Sequence, residues 1–145
     1  NFLIYTANKI YAPSYISMEK ALKFYGLIPE EIFQITSVGT KKTTSFTTPV
    51  GNFSYRHVKP GIFFGYRLLE FGEKRILMAD PEKAVLDYLY LNPQLKTADD
   101  FREMRINREE FSEQIDSKKL GKYLEAFSKS LARRVNIFLT TVQDD

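Results

Sequence analysis

Cysteine and tryptophan are absent from the 145 residues, and there is a single histidine, His57. Without cysteine there is no disulfide framework, no thiolate zinc or iron–sulfur site and no thiol nucleophile. One histidine excludes a multi-histidine metal or catalytic centre within this chain. No apolar run approaches the roughly 20 residues that cross a bilayer. No signal-peptide pattern is visible, so a cytoplasmic protein with no membrane partner is the expectation. Acidic residues are missing from Ile32 to Leu69 altogether. What is present is an ordinary globular composition, 43% hydrophobic and 27% charged, rich in Phe and Tyr. That is enough apolar surface to offset the entropy of ordering. The sequence opens Asn1-Phe2-Leu3-Ile4-Tyr5, without methionine and already apolar, so a preceding N-terminal element is expected.

The net charge of +3 hides an uneven distribution. The acid-free stretch carries Lys41, Lys42, Arg56, Lys59 and Arg67 together with His57. Around these cations lie Phe46, Phe53, Tyr55, Phe63, Phe64 and Tyr66. Cations among aromatics suit phosphate contact and base stacking, and they equally suit the hydrophobic side of a half-buried sheet. The candidate polyanion-binding set is Lys41, Lys42, Tyr55, Arg56, Lys59 and Tyr66.

Leu3 to Tyr11 reads as a strand or the end of a helix. Ser17 sits where an N-cap belongs, ahead of Met18, Ala21, Leu22 and Tyr25 on one helical face, with Gly26 as the stop. From Ile32 the pattern becomes strands, over Ile32–Val38, Thr43–Thr48, Phe53–Val58, Ile62–Leu69 and Arg75–Ala79, divided by turn signals at Pro49-Val50-Gly51-Asn52, Pro60-Gly61 and Phe71-Gly72-Glu73. No helix-length segment separates them, so an antiparallel meander is expected and parallel pairing is not. Asp80-Pro81-Glu82 then starts a largely apolar helix that ends at Asn92-Pro93. Thr97 and Asn107 cap two further segments. Leu120, Leu124, Phe127, Leu131, Val135, Phe138 and Val142 form one stripe, predicting a long amphipathic C-terminal helix. The fold expected is therefore α+β in one domain over 1–145. It has an aromatic-rich antiparallel sheet core over 12–91, packed by helices, and a helical tail over 97–142.

Few residues offer catalytic chemistry. Ser17-Met18-Glu19-Lys20 has the S-x-x-K spacing that places a lysine one turn from a nucleophilic serine. A capping serine followed by a surface lysine explains the same spacing. Gly39-Thr40-Lys41-Lys42-Thr43 lacks the glycine immediately before lysine that a phosphate loop requires. His57 has no acidic residue within ten positions on either side. No metal spacing, cofactor motif or repeat is present.

The combination Pro13-Ser14-Tyr15-Ile16-Ser17, Tyr25-Gly26-Leu27-Ile28-Pro29-Glu30, Thr47-Thr48-Pro49, Gly51-Asn52-Phe53-Ser54-Tyr55-Arg56-His57 and Ala79-Asp80-Pro81-Glu82-Lys83-Ala84 resembles the AbiEi-type antitoxins of bacterial abortive-infection, type IV toxin–antitoxin systems. The similarity runs from about Ala12 to Leu91. The resemblance implies a transcriptional autoregulator. Its N-terminal winged helix-turn-helix, absent from this sequence, would read operator DNA, and its C-terminal domain would act as the antitoxin. The implied functional counterpart is a nucleotidyltransferase toxin, opposed without a stable complex. It implies no catalytic residues. Two other readings stay open: an interaction module or homo-oligomer using the C-terminal stripe, and a Ser17–Lys20 enzyme.

Overall fold

Residues 2–144 are described by the computed structural model. Phe2–Tyr5 forms a 3-10 turn and Ala7–Ile10 a short helix, α1. A sharp junction joins strand β1 (Ser14–Ile16) to helix α2 (Met18–Phe24). Met18 adopts φ +59° there, a left-handed conformation that surrounding structure must enforce. Gly26, at φ +76°, closes the end of α2 by donating its N–H to the Lys23 carbonyl.

Five further strands follow: β2 (Ile35–Gly39), β3 (Thr44–Thr48), β4 (Gly51–His57), β5 (Tyr66–Phe71) and β6 (Lys74–Ala79). They join β1 in one sheet of order β3-β4-β2-β1-β6-β5. The sheet is mixed, which corrects the expected antiparallel meander. β2 runs parallel to β4 through five residue pairs, and β1 meets β6 in parallel at Ile16 and Met78. A parallel pair needs a crossover about a dozen residues long. The residues 40–50 supply one without a helix, because β3 turns back as the outer edge and pairs antiparallel with β4. The β1–β6 pair is closed by the whole intervening chain.

Helix α3 (Pro81–Leu91) follows β6, and α4 (Ala98–Arg102), α5 (Arg108–Gln114), α6 (Ser117–Leu124) and α7 (Lys129–Asp144) complete the chain. Side-chain caps form at three of the four positions the sequence marks, Ser17 at the start of α2 making none. Asp80, Thr97 and Asn107 each accept an N–H from the first turn of α3, α4 and α5. The C-terminal stripe is divided between two helices. α6 stops at Leu124, and α7 begins after Ser128, whose Oγ accepts the Leu131 N–H at 3.2 Å. The seven-residue stripe survives the break because both helices pack onto one core. Leu120, Leu131, Val135, Phe138 and Val142 are buried within the chain, in a cluster continuous with the sheet residues Tyr15, Phe53 and Ile76. That removes the stripe as a free docking face. Among the described residues, no helix is long and apolar enough to cross a membrane.

Candidate functional site

The sequence candidates divide between separate places. Gly39 on β2 pairs with His57 on β4, and Val58 donates its N–H to the Gly39 carbonyl at 2.8 Å. The ends of β2 and β4 therefore bring Lys41, Lys42, His57 and Lys59 together, all exposed. The backbone that carries them is held in place. His57 donates its N–H to Thr43 Oγ1 at 3.0 Å, and its Nδ1 lies 3.2 Å from the Lys41 carbonyl. The Tyr11 hydroxyl donates to the Lys42 carbonyl at 2.8 Å, and the Lys41 ammonium lies 5.5 Å from the Tyr11 ring centre. Among the described residues, Lys41, Lys42 and Lys59 form no ion pair. Cations unpaired at one end of a rigid sheet produce a local positive potential for an anion to meet.

The other candidates lie elsewhere. Arg56 points from the opposite face of β4, where its Nη2 donates to the carbonyl of Leu91 at the end of α3, 3.2 Å away. It supplies positive charge to a helix C-terminus. Tyr55 is 1% exposed, donates its hydroxyl to the Ala7 carbonyl at 2.6 Å, and packs against Tyr11 and Phe46. It cannot stack on a ligand from this position, and the burial pushes its phenol up to about 12. Tyr66 begins β5, near the other edge of the sheet, where it stacks on Tyr15 with ring centres 4.9 Å apart. Its neighbour Arg67 donates to the Tyr25 hydroxyl at 3.2 Å. Neither Tyr66 nor Arg67 belongs to the lysine-bearing end.

The Ser17–Lys20 pair is not assembled. Lys20 Nζ donates to the Ile32 carbonyl at 2.8 Å. Ser17 is fully buried and donates to Asp87 Oδ2 at 2.9 Å. It thereby joins a charged cluster that sequence reasoning missed. Lys83 and Asp87 are both 0% exposed and 3.0 Å apart, one turn apart on α3. All three Lys83 N–H groups have acceptors: Asp87 Oδ1, the Tyr15 hydroxyl at 2.8 Å and the Ile62 carbonyl at 2.7 Å. Tyr15 donates in turn to Asp87 Oδ2 at 2.8 Å. The ammonium also lies 4.7 Å from the Phe64 ring centre. Burial pushes the Lys83 ammonium down and the Asp87 carboxylate up, each opposed by the other's charge. The cluster extends outward through Asp80, which accepts the Tyr123 hydroxyl at 2.7 Å and pairs with Lys119 at 3.1 Å. Gly65, at φ +79°, passes close to Lys83, and a Cβ there would meet Lys83 Cγ at 2.9 Å.

This centre ties β1, the segment before β5, α3 and α6 to one another, and its Lys83–Asp87 pair is sealed from solvent. Its signal in the sequence was the pair Lys83 and Asp87 at i and i+4 in a helix that, past Glu82 in its first turn, is otherwise largely apolar (Ala84, Val85, Leu86, Leu89). A charge on such a helix has no solvated face and must find a partner inside. The sign of the surface changes away from the lysine end. A groove of about 300 Å³ at α2, α3 and α4 is lined by Glu19, Glu30, Asp100 and Glu103 over Leu22, Ile28 and Met104. A polyanion is repelled there. Among the described residues, no group of three or more His, Asp or Glu is placed to hold a metal ion. Comparison with protein-family models, curated proteins and solved structures returns no match for this chain.

Proposed function

We propose that this chain is the antitoxin region of a type IV toxin–antitoxin system of the AbiEi kind. In this reading it is a cytoplasmic, non-catalytic recognition domain that contacts a polyanion, operator DNA first of all, through Lys41, Lys42 and Lys59. The observation that carries the reading is the meeting of these three unpaired lysines with His57 at one end of the sheet, inside a stretch without a single acidic residue. Lysines on a rigid frame contribute affinity through phosphate neutralisation and release of counterions, without reading bases. In the AbiEi-type antitoxins that these residues resemble, sequence-specific reading is the work of a winged helix rather than of this region. The functional counterpart is a nucleotidyltransferase toxin, opposed without a stable complex.

The test is growth rescue. The chain is co-expressed with a nucleotidyltransferase toxin of the AbiE kind. Restored growth, together with binding of the operator duplex by fluorescence anisotropy, is the expected result. Replacing Lys41, Lys42 and Lys59 with Glu should lower duplex affinity by roughly tenfold or more at 0.1 M salt. No rescue and no duplex binding by the unaltered protein would overturn the reading.

A further inference from the structure

His57, the only histidine of the chain, is exposed at the lysine end of the sheet. Two bonds hold it there. Its backbone N–H goes to Thr43 Oγ1 at 3.0 Å, and its ring Nδ1 lies 3.2 Å from the Lys41 carbonyl. A carbonyl oxygen only accepts, so this contact assigns the ring proton to Nδ1. Nε2 is the ring nitrogen left for a ligand. In the neutral ring it carries a lone pair and no proton.

The two charge states of the ring meet a phosphate in opposite ways. A phosphodiester oxygen is an acceptor with no proton to give. Neutral Nε2 sets lone pair against lone pair, whereas Nε2 of the imidazolium donates a charge-assisted hydrogen bond. The Nδ1–H bond to Lys41 is the same in both states, so the ring need not turn when the second proton arrives. The titratable groups around it are the ammoniums of Lys41 and Lys42, that of Lys59 on the segment after β4, and the Tyr11 phenol, which donates to the Lys42 carbonyl. Among the described residues no carboxylate pairs with His57. The anion that partners the imidazolium is therefore the one a ligand brings.

We propose that His57 is a fourth phosphate-contacting residue of the lysine end, acting through Nε2–H of its imidazolium, so that a phosphodiester bound there takes up a proton from the buffer. This rests on the proposed binding of a polyanion by Lys41, Lys42 and Lys59. It adds a chemical class to that reading. A phosphomonoester that keeps its own proton can donate to neutral Nε2 and bind without proton uptake, whereas an internal phosphodiester cannot. It also adds a direction: affinity for the duplex rises as pH falls.

Fluorescence anisotropy with a labelled duplex lacking terminal phosphates, at about pH 6 and about pH 8, tests the proposal, because histidine changes charge in this interval and lysine does not. The unaltered chain should bind roughly threefold or more tighter at the lower pH. His57→Gln retains an amide able to reach the Lys41 carbonyl but cannot take up a proton, and it should bring that ratio below about 1.5. His57→Lys carries its charge throughout, and it should bind at about pH 8 as tightly as the unaltered chain does at about pH 6. Calorimetry in two buffers of different ionisation enthalpy gives a second reading. Binding by the unaltered chain at about pH 7 should take up roughly half a proton, and binding by His57→Gln none. Equal affinity at both pH values, or a pH dependence that survives His57→Gln, overturns the role of His57 and leaves the lysine reading standing. Absence of duplex binding at either pH overturns both.

Discussion

Lysines occupy two opposite environments in this fold. Lys41, Lys42 and Lys59 stand in water at one end of the sheet without an ion-pair partner among the described residues, whereas Lys83 is sealed in the core with every N–H committed. The same ammonium group does different work in each place. In water it is free to change partners, and its field reaches about a Debye length, near 10 Å at 0.1 M salt. In the core its charge is expensive to hold, and its value lies in the number of segments it can join. The difference teaches that the charge count of this chain says little until each charge is assigned an environment. The interior pair adds nothing to the formal +3, while Lys41, Lys42 and Lys59 carry charge that no ion pair among the described residues cancels.

The sharpest way to break the comparison is to remove half of the buried pair. Lys83→Met should leave Asp87 uncompensated and destabilise the fold by about 3–5 kcal/mol in urea unfolding. The double change Lys83→Met with Asp87→Leu should recover at least half of that loss. A single change within about 1 kcal/mol of the unaltered protein would mean that the interior pair does not organise the core.

Alkaline titration comes next in size. Burial raises the phenols of Tyr15, Tyr25, Tyr55, Tyr88 and Tyr123, with the Asp87 and Asp80 carboxylates adding to the effect at Tyr15 and Tyr123. These groups hold their protons in the fold at pH values where the unfolded chain releases them. Their stabilising contribution is complete below pH 10 and falls as pH rises, for Tyr55 across about 10 to 12. Tyrosinate absorbance from these five phenols should therefore appear together with loss of circular dichroism. A gradual rise in absorbance with the dichroism intact would show that they are open to water.

Arg56 sharpens the comparison from the side of the exposed cations. It belongs to the acid-free stretch by sequence, and to the end of α3 by structure. Arg56→Ala should cost about 1 kcal/mol of stability and leave duplex affinity within about twofold. Lys41→Ala should do the reverse, with stability unchanged within about 0.5 kcal/mol.

Much of the local structure was legible because its causes are local. Asp80, Thr97 and Asn107 cap helices through their own side chains, and Pro49 to Asn52 turn a hairpin whatever surrounds them. The parallel pairs were not legible, because nothing in β2 or β4 marks which neighbour each takes, and an edge strand replaced the helix that usually makes the crossover. Ser17 stands at the N-cap position as its spacing implies, but its hydroxyl serves Asp87, a partner 70 residues away. The break at Ser128 was hidden because the apolar stripe continues across it. For the candidate site, closeness in sequence became closeness in space for Lys41, Lys42 and Lys59, since they flank strands that pair. It did not for Arg56, Tyr55 and Tyr66. Side-chain direction alternates along β4, and β5 lies on the far side of the sheet.

The most direct test of the central claim is the salt dependence of duplex binding by two triple-charge variants. Exchanging Lys41, Lys42 and Lys59 for Gln should reduce the slope of log affinity against log salt by about 2.5 to 3. Exchanging Arg56, Arg67 and Lys119 for Gln removes equal charge elsewhere and should leave the slope within about 0.5 of the unaltered value. Equal slopes for the two variants would contradict a localised lysine site.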